Sequence, residues 1–184
     1  GESKKNAGKT ERKFVETPKS KLKVITPNIL NIDYVELTMG KFKKEPMYFY
    51  AAGNEIWKQH GFRDNPWVSS SQFKTELVDA NHFPKGSGFT VCYPFEVNGK
   101  LDADSIQLVV ERANLYEVSV NGKIVKAAEW ARWLDPDFNV FEISEFIQPG
   151  RNEVVLKASP FSIFCELEPV YILGDFVVVP KEKG

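Results

Sequence analysis

The chain has 184 residues, 42% of them apolar and 27% charged. That is enough for one domain with a core of its own, independent of disulfides or metals. A formal net charge of −1 leaves no overall basic field for nucleic acid or an anionic membrane, and no run of about 18 apolar residues is present to cross a bilayer as a helix. Aromatic side chains are plentiful (14 Phe, 6 Tyr and 4 Trp), while His and Cys, the usual carriers of catalysis, number two each.

In chain order, the first feature is charge. Residues 1–23 hold eight Lys or Arg against three Glu, so the rest of the chain carries the acidic excess. This segment has too few apolar side chains to offset its ordering entropy. Residues 1–20 therefore read as a flexible basic linker or arm ahead of a single domain over 21–184. Phe14 is its only aromatic residue, which favours a solvated linker over a nucleic-acid or lipid-binding tail. No Met start, apolar h-region or cleavage signature is present, and the chain reads as a piece of something longer.

Residues 29–39 and 47–51 read as strands, and 53–60 as one or two helical turns stopped by Gly61 in the C′ position. Over 89–97, Phe89, Val91, Tyr93, Phe95 and Val97 share one face of a half-buried strand. Pro94 donates no ladder hydrogen bond, so it predicts an edge position or a bulge. Ile106, Leu108 and Val110 mark the next strand, with Gln107, Val109 and Glu111 on its other face. Tyr116, Val118 and Val120 mark another, turned by Asn121-Gly122 into Lys123-Ile124, a type I′ hairpin signal. Residues 138–147 read as a strand running into a turn, and Pro149-Gly150 breaks it. Val154, Leu156 and Ala158 form the next strand, and 161–167 and 171–179 close the chain.

Many short strands, Gly/Pro/Asn punctuation and no long 3.6-residue period predict an all-β fold. The expected form is an antiparallel β-sandwich or jelly roll with one short helix. Its predicted core is Phe89, Val91, Tyr93, Phe95, Ile106, Leu108, Val110, Val118, Val120, Phe141, Val154 and Leu156.

No phosphate-binding loop, dinucleotide fingerprint, HExxH, GxSxG or CxxC occurs. His60 and His82 lack metal-ligand spacing. Cys92 and Cys165 read as small buried hydrophobes, with a single disulfide as the alternative. Two carboxylate pairs have the residue types of a glycosidase, Asp135 with Asp137 and Glu166 with Glu168. Their bland readings are a Pro-containing turn in which Asp caps its own backbone, and a solvent-facing strand edge. Asp, Asn and carbonyl oxygens of a sandwich loop can hold a structural Ca²⁺, although no DxDxDG-type loop is present.

The four tryptophans, Trp57, Trp67, Trp130 and Trp133, sit in polar segments off the strand alternation. An indole covers the C–H face of a sugar ring while neighbouring Asp, Asn or Arg bond its hydroxyls. Trp57, Trp67, Trp130, Trp133, Asp135 and Asp137 are therefore the candidates for carbohydrate binding or domain contact, presented by loops at one end of the sandwich. The competing reading is that these rings close the open ends of the sandwich.

Several stretches resemble the galactose-binding-like jelly-roll domains of large glycoside hydrolases, namely the family 2 β-glycosidases and α-L-rhamnosidase-type enzymes. They are Asn28-Ile29-Leu30-Asn31-Ile32-Asp33-Tyr34, Val120-Asn121-Gly122-Lys123, Trp133-Leu134-Asp135-Pro136-Asp137-Phe138, Phe141-Glu142-Ile143, Pro149-Gly150-Arg151-Asn152 and Tyr171-Ile172-Leu173-Gly174-Asp175-Phe176, in that order. The resemblance covers about residues 27–179. It implies a non-catalytic accessory domain in the periplasm or outside the cell. Such a domain packs on the catalytic domain of the same polypeptide, binds carbohydrate weakly, or both, and needs no cofactor. A catalytic (β/α)₈ barrel alone needs about 250 residues, so this chain does not contain one. A stand-alone glycan-binding module and a small glycosidase are the alternatives.

Overall fold

The computed structural model describes residues 26–69, 74–79, 81–99 and 106–180. The expected linker lies outside the described residues. Two antiparallel sheets face each other. The five-stranded sheet runs β1 (Asn28–Ile32), β11 (Val170–Gly174), β5 (Gln107–Glu111), β9 (Asp135–Glu142), β8 (Arg132–Trp133). The six-stranded sheet runs β3 (Phe42–Tyr48), β2 (Tyr34–Met39), β4 (Phe89–Val97), β10 (Gly150–Ala158), β6 (Glu117–Val120), β7 (Lys123–Ile124). The architecture is the expected all-β antiparallel sandwich.

The inner faces follow the period of two. Leu108 and Val110 of β5, Phe141 of β9 and Ile172 of β11 meet Val91 and Tyr93 of β4, Val118 and Val120 of β6, and Val154 and Leu156 of β10, all buried. Each such side chain contributes about 1.5–3 kcal/mol of transfer free energy. Phe95 alone of the expected core is only half-buried, at its margin.

Several local expectations differ, and the closing strand ends at Gly174 and not at 179. Residues 29–39 form two strands in different sheets, broken at Asp33, whose carbonyl accepts the Phe49 N–H at 2.8 Å. Residues 49–51 are helical rather than extended, because α1 (Phe49–Gln59) starts four residues early and buries Ala52, Gly53, Ile56 and Trp57 along one side. β4 is an interior strand despite Pro94. The last β2 partner along it is Cys92, so Pro94 falls where the β2 ladder has ended and only β10 runs alongside. Residues 161–167 alternate inward (Phe161, Ile163, Cys165, Leu167) as a strand would, yet they pair with no strand among the described residues.

Side chains hold that last segment in place of a ladder. Trp67 Nε1 donates to the Ile163 carbonyl (2.7 Å), Tyr116 Oη to Glu166 (3.0 Å) and Tyr93 Oη to Glu168 (2.6 Å). Three carbonyls that would otherwise be unpaired near the core are thereby satisfied.

The α1 terminus matches the expected glycine stop. Gly61 has φ +89°, its N–H donates to the Lys58 carbonyl, and the Phe62 N–H donates to that of Trp57. This is a Schellman motif, and the Trp57 and Phe62 rings, 5.9 Å apart, supply its hydrophobic contact. The Asn121-Gly122 hairpin has both central φ positive, as a type I′ turn requires.

Candidate functional site

The candidate residues do not gather at one place. Trp57 is a correction: it lies on α1, not in a loop, and only 3% of it is exposed. Its ring packs edge-on against Phe62 and Phe161, so it is a core residue with no face for a ligand. Trp133 covers the outer face of the five-stranded sheet. There it packs with Phe138 (5.9 Å) and Tyr171 (5.3 Å) over Val109, Val140 and Leu173, which are buried away from the main core. Trp130 is 92% exposed. It and the exposed Leu134 flank β8, both at positive φ (+63° and +61°).

Trp67 and Asp137, by contrast, line one groove of about 580 Å³ together with Arg112, Asn114, Leu115, Phe164 and Glu166. That size is within the range of about 300–1,000 Å³ usual for small-ligand sites. Trp67 stands in a 3₁₀ turn (Pro66–Ser69), its backbone N–H held by Asn65 Oδ1 at 3.0 Å. The Trp67 and Phe164 rings lie 5.4 Å apart, inclined at 46°. They form the apolar part of the groove.

The polar part is centred on Arg112. This residue leaves β5 in the left-handed region (φ +48°) and opens the 3₁₀ turn Ala113–Leu115. Its Nε bonds Asp137 Oδ2 at 3.2 Å, and its Nη1 lies 3.9 Å from Glu166 Oε2. Glu166 Oε1 also accepts from Asn65 Nδ2 at 3.2 Å. The Asp137 hydrogen bond, with the charges of Asp137, Glu111 and Glu166, raises the Arg112 guanidinium above its ordinary value. Asp135 Oδ1 accepts the Asp137 N–H at 2.9 Å, which is the expected Asp cap on its own backbone. A second hollow of about 330 Å³, lined by Tyr116, Ile124 and Phe141 among others, adjoins the groove at Asn114.

The four carboxylates singled out in the sequence have different surroundings. Burial raises Glu168 above the ordinary carboxylate value, with Glu111 and Glu166 adding to it, whereas Glu166 faces Arg112. Glu168 does not line the groove, so the pair does not converge on one cavity. Among the described residues, no three His, Cys, Asp or Glu side chains are placed to hold a metal ion. Cys92 and Cys165 are free thiols and not a disulfide. Burial, aided by Glu153, pushes Cys92 up to about 12, and burial raises Cys165. Both are poor nucleophiles at neutral pH.

Arg112, Phe164, Asn65 and Asn114 were not foreseen as site residues. Phe164 had a signal, as a phenylalanine on the outward phase of an alternating run. A left-handed arginine has none. Two of the residues that carry the resemblance have a structural part. Asn121 and Asn152 bond each other (2.8 Å), and Asn152, fully buried, also accepts the Gln148 N–H and donates to the Gln148 and Gly150 carbonyls.

Compared with known proteins, the chain is matched by no protein-family model and by no curated protein at a significant level.

Proposed function

We propose that this chain is a non-catalytic accessory domain of a polysaccharide-degrading glycoside hydrolase, of the galactose-binding-like class, acting in the periplasm or outside the cell. In this reading it holds carbohydrate weakly in the groove between Trp67 and Arg112. The observation that carries it is the pairing of the Trp67 and Phe164 rings with Arg112, Asp137 and Glu166 in one open cavity. Apolar ring faces beside a few fixed hydrogen-bonding groups are what a pyranose ring requires.

The groove is open and its polar groups already bond one another, so affinity is expected to be low. The domain-contact half of the reading rests on Trp130 and Leu134. Both are large, solvent-exposed and held in a backbone conformation uncommon for such side chains. They favour an accessory domain over a stand-alone module.

Titration calorimetry of the 184-residue chain with neutral oligosaccharides tests the binding half. Saturable heat is expected for the wild type and for Trp130→Ala, and its loss for Phe164→Ala. Absence of binding by every glycan refutes the groove as a carbohydrate site. Turnover of aryl glycosides that is abolished by Glu166→Gln would instead make the chain a glycosidase.

A further inference from the structure

We propose that the groove selects uncharged carbohydrate and rejects glycans bearing uronate or sulfate groups, with the Arg112–Asp137–Glu166 cluster as the specificity determinant. This rests on the carbohydrate reading of the same groove.

Arginine at a sugar site would ordinarily point to an acidic ligand, since its planar fork matches a carboxylate. Here that fork already faces carboxylates of the protein, Asp137 on Nε and Glu166 on Nη1. Two acids line the groove against one base. Three more carboxylates stand close behind: Asp135 bonds the Asp137 backbone, and Glu111 and Glu168 interact electrostatically with Glu166.

An incoming anion would reach an Arg112 charge already offset by Asp137 and Glu166 and would enter a region of excess negative charge. A sugar hydroxyl brings no charge into it. It donates to a carboxylate oxygen and accepts from a guanidinium N–H, and the cluster offers both kinds of group side by side. Trp67 and Phe164 supply a face that is indifferent to charge.

The test compares binding of neutral gluco-, galacto- and manno-oligosaccharides with oligogalacturonates and sulfated oligosaccharides of equal length, at low and at physiological ionic strength. The acidic series is expected to bind at least about tenfold more weakly at low salt, the effect of one like charge a few ångström away in a partly solvated site. The gap is expected to narrow as salt screens the cluster over about 8–10 Å. The double variant D137N/E166Q frees Arg112 and is expected to gain affinity for the uronates. Glu168→Gln leaves the groove lining intact and is expected to narrow the gap without abolishing neutral binding. Equal or tighter binding of the acidic series by the wild type overturns the charge selection and leaves the carbohydrate site standing. Binding of neither series removes both.

Discussion

Arg112 holds Asp137 twice. Its backbone N–H donates to the Asp137 carbonyl at 2.8 Å, and its Nε donates to Asp137 Oδ2 at 3.2 Å. The first contact fixes where β5 ends against β9, and the second sets the direction of the guanidinium. Arg112 does this from the left-handed region, at a cost of roughly 1–2 kcal/mol relative to a glycine there. Strain of this kind collects at functional positions. Arg112→Gly relieves it and loses a solvent-exposed ion pair worth about 0–1 kcal/mol. Denaturation is therefore expected to show stability within about 1 kcal/mol of wild type, while oligosaccharide binding is lost. A large loss of stability with binding intact would make Arg112 a purely structural residue.

Asn152 is the one fully buried polar side chain among the described residues. Replacing it with Leu removes four hydrogen bonds, to Gln148, Gly150 and Asn121, three of which hold the turn over 148–150. A loss of about 2–3 kcal/mol is expected in chemical denaturation.

How much of this was legible in the sequence depends on how local the cause was. Asn121-Gly122 and the alternation of Phe89, Val91 and Tyr93 act through neighbours in the chain, and each produced the element it signalled. Ala52, Gly53, Ile56 and Trp57 recur as one helical face, a pattern that marks Trp57 as core and that Trp67 lacks. Segment 161–167 alternates like a strand but is fixed by Trp67, Tyr93 and Tyr116 from distant positions, and no local pattern reports that. The meeting of Trp67, Arg112, Asp137 and Glu166 is likewise a product of tertiary folding.

His60 links α1 to the start of β4. Nδ1 bonds the Ile56 carbonyl (2.8 Å), Nε2 accepts the Gly88 N–H (3.3 Å), and the ring stacks on Phe161 at 3.8 Å. This arrangement needs the neutral ring, and burial lowers the folded-state value below 6.5. Below pH 6.5 the unfolded chain therefore binds a proton that the folded chain refuses. Stability is expected to be complete above that point and to decline as pH falls from 6.5 through the lowered folded value. His60→Gln is expected to remove this part of the pH dependence in thermal melts.

Glu111 works in the opposite sense. Burial, helped by Asp137 and its neighbours, raises its folded value above 4.5 despite the opposing effect of Arg112. Between 4.5 and the raised value the folded state binds more protons than the unfolded state, so this group makes stability fall as pH rises. Glu111→Gln is expected to raise the melting temperature at pH 7 and to flatten that slope.

Gly88 admits no side chain. At φ +131°, an added Cβ would lie 2.0 Å from the Ala158 carbonyl oxygen, which is backbone and has no room to move. Gly88→Ala is expected to cost more than about 3 kcal/mol, in the tail of single-substitution effects, measured by urea denaturation.

The most direct test of the groove is the indole N–H region of a proton–nitrogen correlation spectrum, in which the four tryptophans are separate probes. On titration with neutral oligosaccharides the Trp67 resonance is expected to shift saturably, while Trp57 in the core and Trp130 and Trp133 away from the groove stay in place. Shifts confined to Trp130 or Trp133, or no shift at any indole at millimolar glycan, would contradict carbohydrate binding between Trp67 and Arg112.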